Sequence, residues 1–325
     1  MASIAVIGAG LAGLVVARAL AGSHDVSVFE KSRGVGGRMA TRRAGAFEFD
    51  HGAQFFTART RAFRAYLQPL IDSGVIADWQ AAFVEMRRGN IAANRRWGED
   101  YPHYVGVPGM SAVGKALASG LNVCLNTTVG SLTRHGELWR LSDDDGALLG
   151  EFDWVVVTAP AAQSANLLAP TVLAASTRTE MHACFALLLG FDEPLNLPWQ
   201  AALVRDADIS WISVNSSKPG RSAATSLVVH STNAWANAHI EDDTETVRQH
   251  LCGVVNAVAG VDAAGAAHSS VHRWRYANVD RQRGDSFAIN PQQKLAVCGD
   301  WFVRGRVEAA FSSANALVEH LGREI

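Results

Sequence analysis

Ser3-Ile4-Ala5-Val6-Ile7-Gly8-Ala9-Gly10-Leu11-Ala12-Gly13 opens the chain. An apolar run leads into Gly-x-Gly-x-x-Gly. A helical pattern follows through Leu14, Val15, Ala17 and Leu20, and then Asp25-Val26-Ser27-Val28-Phe29 reads as a second strand ending at Glu30. Strand, glycine turn, helix, strand and acid together make a βαβ dinucleotide-binding fingerprint. Each glycine has a physical task. Gly8 allows the tight turn out of the strand, Gly10 lets main chain approach a pyrophosphate, and Gly13 lets the helix pack close to the sheet. The helix start, with Ala12 in its first turn, presents unpaired N–H groups and partial positive charge to phosphate. Glu30, about twenty residues beyond the first glycine, suits a ribose diol.

Working outward, the 325 residues suffice for about two domains. With 48% hydrophobic and 18% charged residues, the chain can bury a large core and is not a disordered one. A net charge of −2 argues against nucleic acid as a partner. Cys124, Cys184, Cys252 and Cys298 lack metal-ligand or redox-pair spacing, so we expect reduced thiols, no metal and a cytoplasmic protein. The first strand begins almost at Met1, so no leader is expected. The charge-free run Ala159–Thr177 contains Pro160, Gln163, Asn166 and Pro170, a poor membrane span that reads as loop and short helices.

After Glu30 comes Lys31-Ser32-Arg33-Gly34-Val35-Gly36-Gly37-Arg38-Met39. This stretch resembles the second flavin motif of the amine oxidase superfamily. There the glycines pass close to the cofactor and the arginine steadies the diphosphate. The resemblance implies those roles for Gly36, Gly37 and Arg38, with Lys31 and Met39 flanking them. Next, Asp50-His51-Gly52-Ala53-Gln54-Phe55-Phe56-Thr57 resembles the renalases and their bacterial relatives, and implies that Gln54, Phe55, Phe56 and Thr57 face the flavin ring. At the other end, Leu295-Ala296-Val297-Cys298-Gly299-Asp300 resembles the strand that places a carboxylate, here Asp300, on the ribityl or diphosphate. Gly305-Arg306-Val307-Glu308 resembles the start of the closing helix, whose positive end meets the flavin pyrimidine; the resemblance implies Val307 and Glu308 as cofactor-binding residues there. Ala310 and Ala314 stand where that family usually has glycines. Val129, at a strand start, is implied as the adenine contact.

Arg59–Ser73 reads as an amphipathic helix. Trp79, Phe83 and Met86 suggest a strand, and Arg95-Arg96-Trp97-Gly98 a turn whose Arg96 and Trp97 could meet a planar anionic substrate. Val271-His272-Arg273-Trp274-Arg275-Tyr276 alternates as a half-buried strand does, with His272, Trp274 and Tyr276 on one face. Trp274, Tyr276 and Phe185 are the remaining substrate-facing candidates. Asp143-Asp144-Asp145-Gly146 is a turn.

The fold expected is an α/β, two-domain FAD-dependent oxidoreductase: a Rossmann-type FAD domain (1–60, 105–165, 285–325) and a mixed-sheet α+β substrate domain (61–104, 166–284). FAD is expected without a covalent link. The renalase resemblance implies oxidation of 2- and 6-dihydro-NAD(P) to NAD(P)+, with O2 giving H2O2, in a protein that engages neither nucleic acid nor membrane. None of Lys31, Lys115, Lys218 and Lys294 stands out as the lysine that many family members place at flavin N5. No side chain is marked as catalytic; the flavin carries the chemistry. An amine or amino-acid oxidase, a porphyrinogen-type desaturase, and a flavin-binding scaffold without chemistry stay open.

Overall fold

Strand Ser3–Ile7 occupies the interior of a six-stranded sheet. The order is Phe287–Asn290, Leu295–Cys298, Trp154–Val157, Ser3–Ile7, Asp25–Phe29, Asn122–Cys124. Only the first pairing is antiparallel. Strands buried on both faces read as continuous apolar runs, and Trp154–Val157 and Leu295–Cys298 do so. The computed structural model describes residues 1–98 and 100–325, which fall into two units.

The first unit comprises Met1–Met39, Val113–Met181 and Val279–Ile325. Besides the six-stranded sheet it holds an antiparallel sheet, Ser131–His135, Leu138–Ser142 and Leu148–Phe152. Helix Leu11–Leu20 packs against Val307–Leu321. The core joins Ile7, Val155, Val157, Leu295 and Val297 to Trp139, Leu141 and Trp301. The charge-free run forms helix Ala161–Leu168 and a short 3-10 turn, Ala174–Thr177. No helix among the described residues is long and apolar enough to cross a membrane.

The second unit comprises Ala40–Ala112 and His182–Asn278. Its seven-stranded sheet runs His268–Asn278, His182–Phe191, Thr225–Ser231, Ile209–Val214, Ala201–Arg205, Ala82–Arg87, Asn90–Arg96. The sheet is mixed, because Ala201–Arg205 pairs in parallel with Ala82–Arg87 while its other neighbours run antiparallel. One face, carrying Phe185, Leu187, Leu227 and Val229, packs on Val247, Leu251 and Val255 of helix Thr244–Ala259. The other face, carrying Ala186, Leu188 and Val228, packs on Phe47 and Phe49 of the hairpin Thr41–Ala44/Phe47–Asp50. Gly190 makes room for that hairpin: a Cβ there would lie 2.6 Å from the Phe47 ring.

These units break the chain elsewhere than the sequence reading does. Residues 40–60 join the second unit, because Phe47 and Phe49 are buried on its sheet, and residues 105–112 join it too, where Tyr104–Gly106 pairs with Ile76–Asp78. Residues 166–181 and 279–284 join the first, because Leu167, Leu168, Leu173 and Val279 complete its core. The first half of the turn expected at Arg95–Gly98 is strand instead. Arg95 and Arg96 belong to strand Asn90–Arg96, whose hairpin with Ala82–Arg87 turns at Arg88 (φ 48°) and Gly89 (φ 74°). Two consecutive positive φ angles are what a two-residue hairpin needs to match strand twist.

Candidate flavin site

In the first unit the fingerprint forms a cradle. Gly8 has φ 106° and donates its N–H to Phe29 O at 2.8 Å. A Cβ on Gly13 would lie 1.9 Å from Gly8 O, so the helix meets the turn only without one. A Cβ on Gly10 would meet nothing within 4 Å, so this glycine faces open space. Its Cα would lie 3.2 Å from a Cβ on Gly37 (φ 56°), and Gly36 donates to Ala9 O at 2.8 Å. The two glycine segments, distant in sequence, thus form one wall. Glu30 is buried and fixed: Ala9 N–H donates to Oε2 and Ser32 N–H to Oε1, each at 2.8 Å. Each oxygen keeps a further lone pair for a hydroxyl.

Arg38 and Asp300 form a bidentate pair at 2.9 and 2.6 Å. This is the fork geometry that guanidinium and carboxylate favour. The pair bridges 262 residues of sequence and brings both implied diphosphate-side groups together. Arg38 is 30% exposed along its side chain and Asp300 7%. Cys298, beside them in sequence, is buried, and burial pushes its thiol up to about 12, which keeps it unreactive. Lys31 is exposed, whereas Met39 and Val129 are buried and have only main chain to offer a ligand. Val307 and Glu308 begin helix Val307–Leu321 and are half-buried.

In the second unit Asp50, Lys218 and Arg221 have wholly buried side chains. Asp50 Oδ1 accepts from Thr41 Oγ1 at 2.7 Å and Met110 N at 2.9 Å; Oδ2 accepts from Arg221 at 2.5 Å and Lys218 Nζ at 3.3 Å. Against the upward push of burial, the two cations hold the Asp50 carboxyl below its usual range. Lys218 also donates to Asn215 Oδ1 at 2.9 Å and Gln54 Oε1 at 3.4 Å, and sits 5.3 Å over the Trp79 ring. Burial brings its pKa down to about 8, even with Asp50 opposing.

Beside this cluster His51 stacks on Trp274 (5.2 Å, 23°) and meets His272 edge-on at 4.6 Å. Trp274 Nε1 donates to His51 O at 2.8 Å. Burial, reinforced by neighbouring positive charge, brings His51 down to about 3 and His272 to about 4. Burial likewise brings His230 to about 4. The wall is aromatic and uncharged at neutral pH.

Several predicted residues need correction. The Gln54 amide is used internally: Oε1 accepts from Ser213 Oγ at 2.7 Å and from Lys218, while Nε2 donates to Gly52 O at 3.1 Å and to Asp50 O. Phe56 is buried against Phe63 and Tyr104. These two therefore face inward, and only Phe55 and Thr57 of the four keep part-exposed side chains. Trp97 is buried with its ring parallel to His103 at 3.7 Å and stacked on Phe83 at 5.4 Å, so it has no face to offer a substrate. Arg96 instead lines a cavity of about 400 Å³ with Asp78, Trp79, Gln200 and Ser217. Phe185 is fully buried on the helix side of the sheet, edge-on to Trp235. Trp274 and Tyr276 are half-buried, and His272 and Trp274 share a face as alternation requires. Lys218, Arg221, Asp50 and His51 were not singled out from the sequence. A lysine in a Ser-Lys-Pro-Gly turn looks solvated, and only tertiary packing buries it.

The model of a flavin-containing amine oxidoreductase matches residues 80–319. The chain belongs to that family. An NAD(P)-binding Rossmann-like model matches residues 6–70 of this flavin oxidoreductase. A solved protein from Exiguobacterium sp. 255-15, assigned as a protoporphyrinogen oxidase, superposes with TM-score 0.80 over 99% of both chains at 12% identity. An engineered triple mutant of putrescine oxidase superposes with TM-score 0.73 over 100% of this chain and 99% of its own, at 11% identity. At those identities the likeness concerns fold. The 4,4'-diapophytoene desaturase of Staphylococcus aureus (strain Newman) is 50% identical over 50 residues, 15% of this chain and only 10% of that protein.

The cofactor of this family member is FAD, and the cradle fits it. Gly10 faces space that no Cβ obstructs, Glu30 is held with lone pairs to spare, and the Arg38 guanidinium is set in place by Asp300. Among the described residues no group of acidic, histidine or cysteine side chains could hold a metal ion.

Proposed function

We propose that this flavin oxidoreductase oxidises the misreduced isomers 2- and 6-dihydro-NAD(P) to NAD(P)+, with O2 reduced to H2O2. In this reading Gly8, Gly10, Gly13, Gly36 and Gly37 line the diphosphate, Glu30 takes the adenosine ribose, and Arg38 with Asp300 takes the diphosphate and ribityl. FAD held there would supply the hydride acceptor and the route of two electrons to O2. The observation that carries the reading is the neutral wall of His51, His272 and Trp274. With imidazole pKa values of about 3 and 4, the rings of this wall are planar and themselves uncharged at neutral pH, with Arg42 the charged neighbour. A dihydronicotinamide loses hydride without a base, since aromatisation drives the step. The protein has to stack, orient and exclude water. The Trp274–His51 hydrogen bond fixes the angle of that surface.

The test is anaerobic mixing of the yellow protein with borohydride-treated NAD+, following flavin absorbance. Fast bleaching by the isomers and none by simple amines supports the reading. Fast bleaching by a primary amine or a porphyrinogen replaces it with the corresponding oxidase. No bleaching by any of them leaves a flavin-binding scaffold.

A further inference from the structure

Lys218 carries a charge at a place where charge is costly. Its side chain is wholly buried with Asp50 and Arg221, so two cations share one carboxylate. A buried ion pair seldom stabilises more than an apolar replacement of the same volume. The ammonium has three donors, and they meet Asp50 Oδ2, Gln54 Oε1 and Asn215 Oδ1. It therefore has no donor left to orient a water, and acts on protein groups alone.

Those groups belong to one stretch of main chain. Asp50 ends strand Phe47–Asp50, and its N–H donates to Asn215 Oδ1 at 3.2 Å. Gln54 folds back so that Nε2 donates to Gly52 O and to Asp50 O. Lys218 and Ser213 hold the other end of that amide, which fixes its orientation. The turn Gly52–Phe55 is thus clamped from behind. Its own N–H groups, at Gly52, Ala53, Gln54 and Phe55, have no protein acceptor among the described residues. Four consecutive main-chain donors held in one conformation suit a ligand with several acceptors.

We propose that Lys218 is a positioning residue whose charge, acting through Gln54 and Asp50, holds the Gly52–Phe55 main chain in the conformation that binds FAD. This rests on the flavin reading of that segment. The charge is titratable, since burial brings its pKa to about 8. The charged groups facing it are Asp50 of the hairpin and Arg221 of the following loop. His230 of strand Thr225–Ser231, neutral throughout this range, lies near enough to feel its charge. Beside Trp79, Asp78 and Arg96 line the adjoining cavity.

The experiment is FAD titration of stripped protein between pH 6.5 and 9, for wild type, Lys218→Met and Lys218→Arg. Intrinsic tryptophan emission of the same samples reports the ammonium over Trp79. At pH 7, Lys218→Met should bind FAD at least tenfold more weakly. Wild-type affinity should fall severalfold as pH rises through 8, together with a step in emission. Lys218→Arg, charged throughout, should show neither change. FAD bound equally by wild type and Lys218→Met leaves the flavin reading standing and overturns the positioning role. Wild-type affinity that stays flat through pH 9 overturns it too, and decides the matter alone if Lys218→Met does not fold. Wild type that binds no FAD at any pH removes the flavin reading, and the proposal with it.

Discussion

Arg38 and Asp300 show how one residue's role depends on what remains when its partner is removed. Arg38→Ala leaves a carboxylate only 7% exposed without its counter-charge. On the proposed reading it also deletes a charged hydrogen bond to the diphosphate, worth about 1.5–3 kcal/mol. We predict a ten- to hundredfold loss of FAD affinity, measured by flavin fluorescence titration. Arg38→Lys should recover only part, since an ammonium cannot reproduce the bidentate fork. Gly13→Ala fails for a different reason. Its Cβ would lie 1.9 Å from Gly8 O, and since one atom is main chain and the other is fixed rigidly to it, neither can turn aside. Overpacking of this kind costs about 1–3 kcal/mol, so the midpoint of urea unfolding should drop even without FAD.

Elements that carry periodic or motif information are the ones that were legible. The βαβ unit is written in adjacent residues, each constrained by local geometry, so strand, turn, helix and acid all lie where the glycines predict. The alternation of Val271–Tyr276 likewise sorts itself correctly: His272 and Trp274 meet His51, while Arg273 lies over Phe185. What sequence could not convey is long-range company. Trp97 reads as exposed because Arg95 and Arg96 precede it, yet Phe83 and His103 enclose it. Lys218 reads as a turn lysine, yet a carboxylate 168 residues away draws it inside. The aromatic strand face gives a prediction of its own. Trp274→Ala removes both a stacking partner of His51 and the hydrogen bond to its carbonyl. A loss of about 1 Å in placement costs on the order of a hundredfold in a reaction that depends on stacked geometry. Stopped-flow reduction by 2- or 6-dihydro-NAD(P) should slow by about that factor. Reoxidation by O2 needs no stacked substrate and should change little; equal slowing of both half-reactions would point to a misfolded site instead.

At the scale of the whole molecule the buried ionisable groups set a stability profile that opposes the binding profile. His51 titrates at about 3 in the folded chain and near 6.5 when unfolded. Between those values the unfolded state binds more protons, so stability rises with pH across that window and is lost as pH falls through it. The amount is about 2–4 kcal/mol. His51→Phe, which keeps a ring against Trp274, should flatten the acid limb of a urea-unfolding series. Lys218 follows the same sign at the other end. Its pKa is about 8 folded and 10.5 unfolded, so again the unfolded chain holds the extra proton in between. FAD-free protein should therefore gain stability as pH rises from 8 to 10.5, and Lys218→Met should remove that gain. FAD affinity is expected to move the opposite way over the lower part of the range, because the charge that burdens the fold is the one that holds Gln54. A protein that keeps such a charge gives up stability for a fixed binding surface, as functional sites commonly do. Between pH 8 and 9 the unfolding midpoint of FAD-free protein and the FAD dissociation constant should therefore both rise. A midpoint that falls while the dissociation constant rises reflects general alkaline loosening, and Lys218 is then not its source.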